Sequence, residues 1–208
     1  WRFVQGPENH DIVYRGRGQR VARLGDPSNP RSWYGRSRSR VATGISLTAP
    51  GIPMLFMGQE FLEDKQWADD FKNHANLLLH WAGLDNGDKQ MHDHLRFTRE
   101  LIGLRWRYPG LRGQGFRVVH FHDQNRVLAF HRWVEGEGHD VVVVVHLAPY
   151  NRFDYRIGFP GGGQWREVFN SDVYEHWVNP HVVGNGGQVH ADPQPLHDFG
   201  YSAALAIP

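Results

Sequence analysis

Apolar residues along this chain recur with different spacings, and each spacing predicts a different kind of element. The chain opens on a short apolar start, Trp1-Arg2-Phe3-Val4, read as a buried strand that runs into the polar Pro7-Glu8-Asn9-His10-Asp11. Residues 52–57 form a second short apolar run, bounded by Gly51 and Gly58, the form of a strand buried on both faces. It too ends in polar residues, Gln59 and Glu60. Between the two runs, residues 12–32 are rich in Arg, Gly and Pro and predict a long loop. A helix is predicted over residues 32–48, with Val41, Ile45 and Thr48 on one face and Pro50 as its stop.

Residues 59–88 carry mixed signals. They predict a short helix over 64–72 and an apolar patch, Leu77-Leu78-Leu79-His80-Trp81, inside a loop. Asn86-Gly87-Asp88 marks a turn and the start of a helix over 89–107. There Met91, Leu95, Thr98 and Ile102 keep a stripe with a period of about 3.6 residues, Leu101 lies beside it, and Pro109-Gly110 ends it. After Gly110 the period becomes alternating. Strands are expected over 116–122, 126–134, 140–147, 153–159, 164–169 and 202–207, with glycine-rich turns at 161–163 and 184–187. The pattern predicts an α/β part over residues 1–109 and an antiparallel β-sandwich over 110–208.

Composition narrows the function classes. A chain of 208 residues fits one or two domains, and a formal net charge of +1 gives no overall field toward nucleic acid or an anionic membrane. The basic stretch from Arg31 to Arg40 does not change this, because Arg36 and Arg40 fall on one helix face, the usual solvated arrangement. Neither nucleic acid nor membrane is expected as a partner; no segment approaches the ~20 apolar residues of a membrane helix. The absence of cysteine excludes disulfides and thiolate chemistry and fits a cytoplasmic protein. Among fourteen histidines, His92 and His94 diverge on a helix, whereas His120 and His122 share one face of a strand. With no evident third ligand, neither a metal nor another cofactor is expected.

Two strands that end in polar residues place those side chains where a parallel α/β barrel carries its chemistry. His10 and Asp11 are the leading candidates, followed by Gln59 and Glu60, and by Trp67 with Asp69 and Asp70 on the next loop. On the residues alone, His10-Asp11 also reads as loop polarity, and Gln59 and Glu60 as groups that order loop backbone. Trp67 suits a sugar ring or a packed core equally well.

The order of these motifs resembles the α-amylase superfamily, glycoside hydrolase family 13. Asn9-His10-Asp11 resembles the end of its seventh barrel strand, and Gly51-x-Pro53-x-x-x-x-Gly58-x-Glu60 its eighth. The pairs of segments Arg126 to Arg132 and Val141 to Leu147 look like strands of its C-terminal β domain. Trp165-Arg166-Glu167-Val168-Phe169-Asn170-Ser171-Asp172, followed by Val183-Gly184-Asn185-Gly186, is similar to that domain in glycogen branching enzymes. Leu77-Leu78-Leu79-His80-Trp81 departs from their Leu-Asp-Trp segment, with His80 where Asp is usual.

The resemblance implies the last two βα units of a (β/α)8 barrel, then a C-terminal β-sandwich. It implies an α-1,4-glucan substrate, cut by a retaining covalent mechanism and transferred to a 6-hydroxyl. Asp11 would be the transition-state-stabilising carboxylate, and His10, Gln59, Glu60 and Trp67 would bind substrate. The nucleophile and the acid, which stand about 5 Å apart in retaining enzymes, would lie upstream of Trp1. The absent initiator methionine agrees with a piece of a longer enzyme, inactive alone. The alternatives are a maltooligosyltrehalose trehalohydrolase or other α-glucan hydrolase of the superfamily, and a non-catalytic β module for glucan binding or domain packing.

Overall fold

A computed structural model describes residues 3–208; the first two positions of the expected opening strand lie outside the described residues. Strand β1 (Val4–Gln5) pairs in parallel with β2 (Ile52–Pro53), in the register Val4 with Ile52 and Gln5 with Pro53. Both are shorter than the apolar runs suggest, and they are not buried. Val4 is 61% exposed and Ile52 58%, because among the described residues no further strand flanks this ladder.

The segment expected as loop over 12–32 contains a short helix, α1 (Val21–Gly25). Helix α2 (Trp33–Thr48) follows, started by Ser32, whose hydroxyl accepts from the Gly35 amide at 3.1 Å. Of the expected face only Thr48 is buried. Val41 and Ile45 are half-buried, whereas Gly35, Arg36, Ser39, Arg40, Thr43, Leu47 and Thr48 are buried. The solvated reading of Arg36 and Arg40 is therefore overturned. Both guanidinium groups bind the buried carboxylate of Glu175, Arg40 at 2.5 Å.

Residues 64–72 form no helix. Instead Trp67 joins its backbone to an earlier segment, donating to Val13 O at 2.9 Å and accepting from the Arg15 amide at 2.8 Å. The apolar patch at 77–81 is built into a 3-10 turn (Ala75–Leu77) and a short helix, α3 (Trp81–Asp85), whose first ring packs on Phe61. Helix α4 (Lys89–Arg107) has the expected bounds. Asp88 caps it through the amides of Gln90 and Met91, at 3.0 and 3.2 Å.

Beyond residue 115 every paired strand is antiparallel. Strands β3 (Gly115–His122), β4 (Val127–Trp133) and β5 (Val141–His146) form one sheet in that order. Strand β6 (Arg152–Phe159) pairs with β9 (Tyr201–Ile207), and β7 (Gly163–Arg166) with β8 (Gln188–Ala191). The pattern had not signalled β8, and the strand expected over 164–169 stops at Arg166. The five-valine run of β5 serves two cores. Val142 and Val144 pack with Val127, Ala129, Ile157 and Leu205, while Val141 and Val143 pack with Leu47, Phe97, Leu101 and Leu111 from the helical part. Period-two alternation puts one set on each face of the sheet.

Arginines tie the sheet to the helices. Fully buried Arg132 on β4 donates to the carbonyls of Thr48, Leu111, Gly113 and Gly115, so it closes the C-terminus of α2. Arg105 on α4 adds bonds to Leu47 O and Gly51 O at 2.8 and 2.7 Å. Burial, and the neighbouring Arg105, pull the pKa of Arg132 down to about 10. Among the described residues no helix is long and apolar enough to cross a membrane.

Candidate functional site

The chain leaves β1 through Gly6-Pro7 and sends the next side chain inward. Glu8 is buried and accepts from Arg20 Nη1 at 2.8 Å and from the Val21 amide at 2.7 Å. Arg20, equally buried, also donates to Met57 O at 2.9 Å and to Lys65 O at 2.8 Å, and lies over the Phe56 ring. One ion pair thus fixes the segment after β1, the start of α1 and the segment after β2 to each other. Burial raises the pKa of Glu8, against the pull of Arg20. The sequence reading gave neither residue a role; the signal available was a carboxylate inside the Pro7–Asp11 motif.

Asn9 then folds the chain outward. Its side-chain oxygen accepts from the amides of Asp11 and Ile12, at 3.0 and 2.8 Å, a local turn that the short Asx side chain favours. The turn leaves His10 and Asp11 open, with side chains 63% and 72% exposed and Nε2 3.5 Å from Oδ2. Trp67 stands beside them, held by its backbone pairing with residues 13–15. Its ring meets His10 edge-on at 6.1 Å, Tyr14 at 5.8 Å and Phe56 at 6.1 Å. Tyr14 OH donates to Asp69 at 2.9 Å. His10, Asp11, Tyr14, Trp67 and Asp69 therefore form one surface group, with the carboxylates and imidazole exposed and the two aromatic rings half-buried. Tyr14 escaped the sequence reading, since only the backbone pairing near Trp67 brings it there.

Gln59 does not join this group. It is buried, donates to Thr43 Oγ1 at 3.3 Å, and accepts from the Phe56 amide at 3.3 Å. Glu60 is half-buried in the 3-10 turn Gln59–Phe61. Glu63, unremarked in the sequence, organises the next loop through the amides of Asp64, Lys65 and His80 and the Lys65 ammonium. Burial opposes its charge, but these donors prevail and hold its pKa below the usual carboxylate range.

The histidine pairs separate as their elements dictate. His94 is buried on α4 while His92 bonds Leu84 O. Burial, with the nearby cations of Arg40 and Arg31, pushes His94 down to about 3. His120 and His122 lie on one side of β3 with ring centroids 6.0 Å apart. Among the described residues no group of three or more His, Cys, Asp or Glu is arranged to hold a metal. A cavity of about 780 Å³ lies between α4 and the segment 167–187, and one of about 810 Å³ between the helices and the strands; neither is lined by His10, Asp11 or Trp67. His10 and Asp11 stand open to solvent.

Comparison with known proteins shows what the chain resembles. Residues 118–208 match the family described as "Alpha amylase, C-terminal all-beta domain". The whole chain aligns with the 1,4-alpha-glucan branching enzyme GlgB 1 of Xanthomonas euvesicatoria pv. vesicatoria, 36% identical over 214 residues. It also aligns with the GlgB enzymes of Paraburkholderia xenovorans, at 33%, and Aquifex aeolicus, at 31% over 97% of the chain. The chain spans 27% of the length of the first two relatives and 31% of the third. In fold it resembles the α-amylase of Geobacillus thermoleovorans solved with acarbose, with a TM-score of 0.61 and 19% identity over 98% of this chain and 38% of that one. The native debranching enzyme of Nostoc punctiforme gives the same TM-score, 0.61, at 16% identity over 99% of this chain and 33% of that one.

Proposed function

We propose that this chain, which belongs to the α-amylase superfamily, supplies the last two βα units of the catalytic barrel and the C-terminal all-β domain of a 1,4-α-glucan branching enzyme. Residues 1–109 are the barrel part and 110–208 the β domain. The observation that carries this reading is the relationship to branching enzymes over the whole chain, at 31–36% identity. The placement of Asp11 just beyond β1, beside His10 and Trp67, supports it.

In this reading Asp11 bonds the hydroxyls of the glucose unit being cleaved and favours its distorted, oxocarbenium-like form. His10 holds the same sugar and Trp67 walls the subsite. Gln59 works from beneath, keeping the Phe56 turn in place through its bonds to Phe56 and Thr43. Glu60 lies at the mouth. An upstream carboxylate displaces the leaving glucan, whose glycosidic oxygen takes a proton from an upstream acid. A 6-hydroxyl then attacks the glycosyl-enzyme and returns its own proton to that residue.

The test is the linkage made by the full-length protein on amylose. The reading requires new α-1,6 linkages, counted by proton NMR, with few new reducing ends. Reducing ends without α-1,6 linkages would replace it with a hydrolase of the same superfamily.

A further inference from the structure

The β part contains a tight hairpin, residues 196–199, where Leu196 and Phe199 exchange backbone hydrogen bonds of 3.0 Å. Its two central residues, His197 and Asp198, sit at φ 54° and 62°. Left-handed backbone at two successive non-glycine residues persists only where the surroundings hold it. Four contacts do so. The amide of Gly158 on β6 donates to His197 Nδ1 at 3.1 Å. The His197 ring stacks on His120 of β3, centroids 4.2 Å apart and planes 23° from parallel. Arg117 of β3 binds the Asp198 carboxylate at 2.7 Å and lies over the Phe199 ring at 5.1 Å. The hairpin therefore bridges the β3–β4–β5 sheet and the β6–β9 ladder. The approach is close: a methyl group at Gly158 would meet Leu196 O at 2.3 Å.

We propose that this hairpin is an acid-released latch between the two strand systems, closed only while His197 and its stacking partner His120 are neutral. A backbone amide can only donate, so the Gly158 bond fixes His197 as the tautomer with its proton on Nε2. Imidazolium carries protons on both nitrogens. Protonation of His197 therefore puts N–H against N–H at Gly158 and removes the bond. The cation also faces a second imidazole across the stack.

The surroundings add little to relieve that charge. On β3, His122 turns its Nδ1 to the Asn125 amide at 3.1 Å, and Arg117 is cationic. On β6, Tyr155 bonds His120 Nε2 at 2.8 Å and carries Arg152 over its ring. On β4, His131 meets Phe199 edge-on at 5.9 Å and bonds Asp140. On the hairpin itself, Asp198 is engaged by Arg117. Burial keeps His120 and His197 below the ordinary histidine value; adjacent imidazoles lower His120 further, while Asp198 partly offsets the effect at His197. For histidines depressed in the folded state, the stabilisation is present above the free value of about 6.5 and is lost as pH falls below it.

The test is NMR on this chain across about pH 7.5 to about pH 5. The imidazole nitrogen shifts of His197 should report the Nε2–H tautomer at the upper end. Protection of the Gly158 amide, corrected for intrinsic exchange, should fall with acidification by up to about tenfold per pH unit. His197→Asn, which tolerates the left-handed backbone and does not titrate, should abolish that pH dependence. An Nδ1–H tautomer in the parent, Gly158 protection that does not respond to pH, or an unchanged pH response in His197→Asn would each overturn the latch.

Discussion

Glu8 and Arg20 show how much of the candidate site rests on buried residues behind its exposed ones. Each is almost fully buried, and their pairing is the node where three segments meet. Glu8→Gln keeps the shape and an acceptor for the Val21 amide but leaves Arg20 as a buried charge without its counter-ion. The expected loss is about 3–5 kcal/mol in urea unfolding, since breaking a buried pair costs more than the pair contributes net. A change below about 1 kcal/mol would mean that water reaches Arg20. His94 makes a second residue-scale prediction. With its folded pKa near 3 against about 6.5 unfolded, it contributes stability above the unfolded value that is lost as pH falls toward the folded one. Between about pH 6.5 and about pH 4 the loss should reach a few kcal/mol. His94→Phe should flatten that slope relative to the parent, and an identical slope in the variant would assign the acid sensitivity elsewhere.

At the scale of elements, α2 is gripped by the β part along its first half and at its C-terminus. Glu175 binds Arg36 in the first turn and Arg40 at mid-helix, and Arg132 closes the last turn. Two arginines facing one carboxylate leave an excess positive charge, so Glu175→Gln should cost about 3–5 kcal/mol and expose α2 to proteolysis before α4. If stability hardly moved, the helix would be held by Arg132 and its apolar contacts alone. Elements were legible where local signals agreed. The α4 stripe, the Asp88 cap and the Pro109-Gly110 stop all point to one helix, and its bounds follow. The buried face of α2 was not legible, because the partner that permits Arg36 and Arg40 to be buried lies 135 residues beyond Arg40 in the chain. Helix α1 and strand β8 were missed for a related reason. Five residues of Val21–Gly25 and four of Gln188–Ala191 are too short to display a period. The helix expected over 64–72 yields to the long-range pairing of Trp67 with residues 13–15.

At the scale of the molecule, the antiparallel part packs on two cores, one of its own and one shared with α2 and α4, whereas the parallel β1–β2 ladder stays open with Val4 and Ile52 exposed. The open ladder is what the proposed reading expects of two barrel units taken apart from their neighbours. The site divides in the same way. Asp11, His10 and Trp67 were legible because they sit in or beside motifs, and they come together. The supports behind them, Glu8, Arg20 and Glu63, were not, because burial and pairing are properties of the folded chain. The central claim is that Asp11 stabilises the transition state of glucan cleavage. The most direct measurement is turnover of amylose by the full-length enzyme carrying Asp11→Asn. The account predicts that kcat falls by about 10³-fold or more with folding and glucan affinity retained, as expected when an interaction made mainly in the transition state is removed. Turnover within about threefold of the parent would contradict it and remove Asp11 from the chemistry.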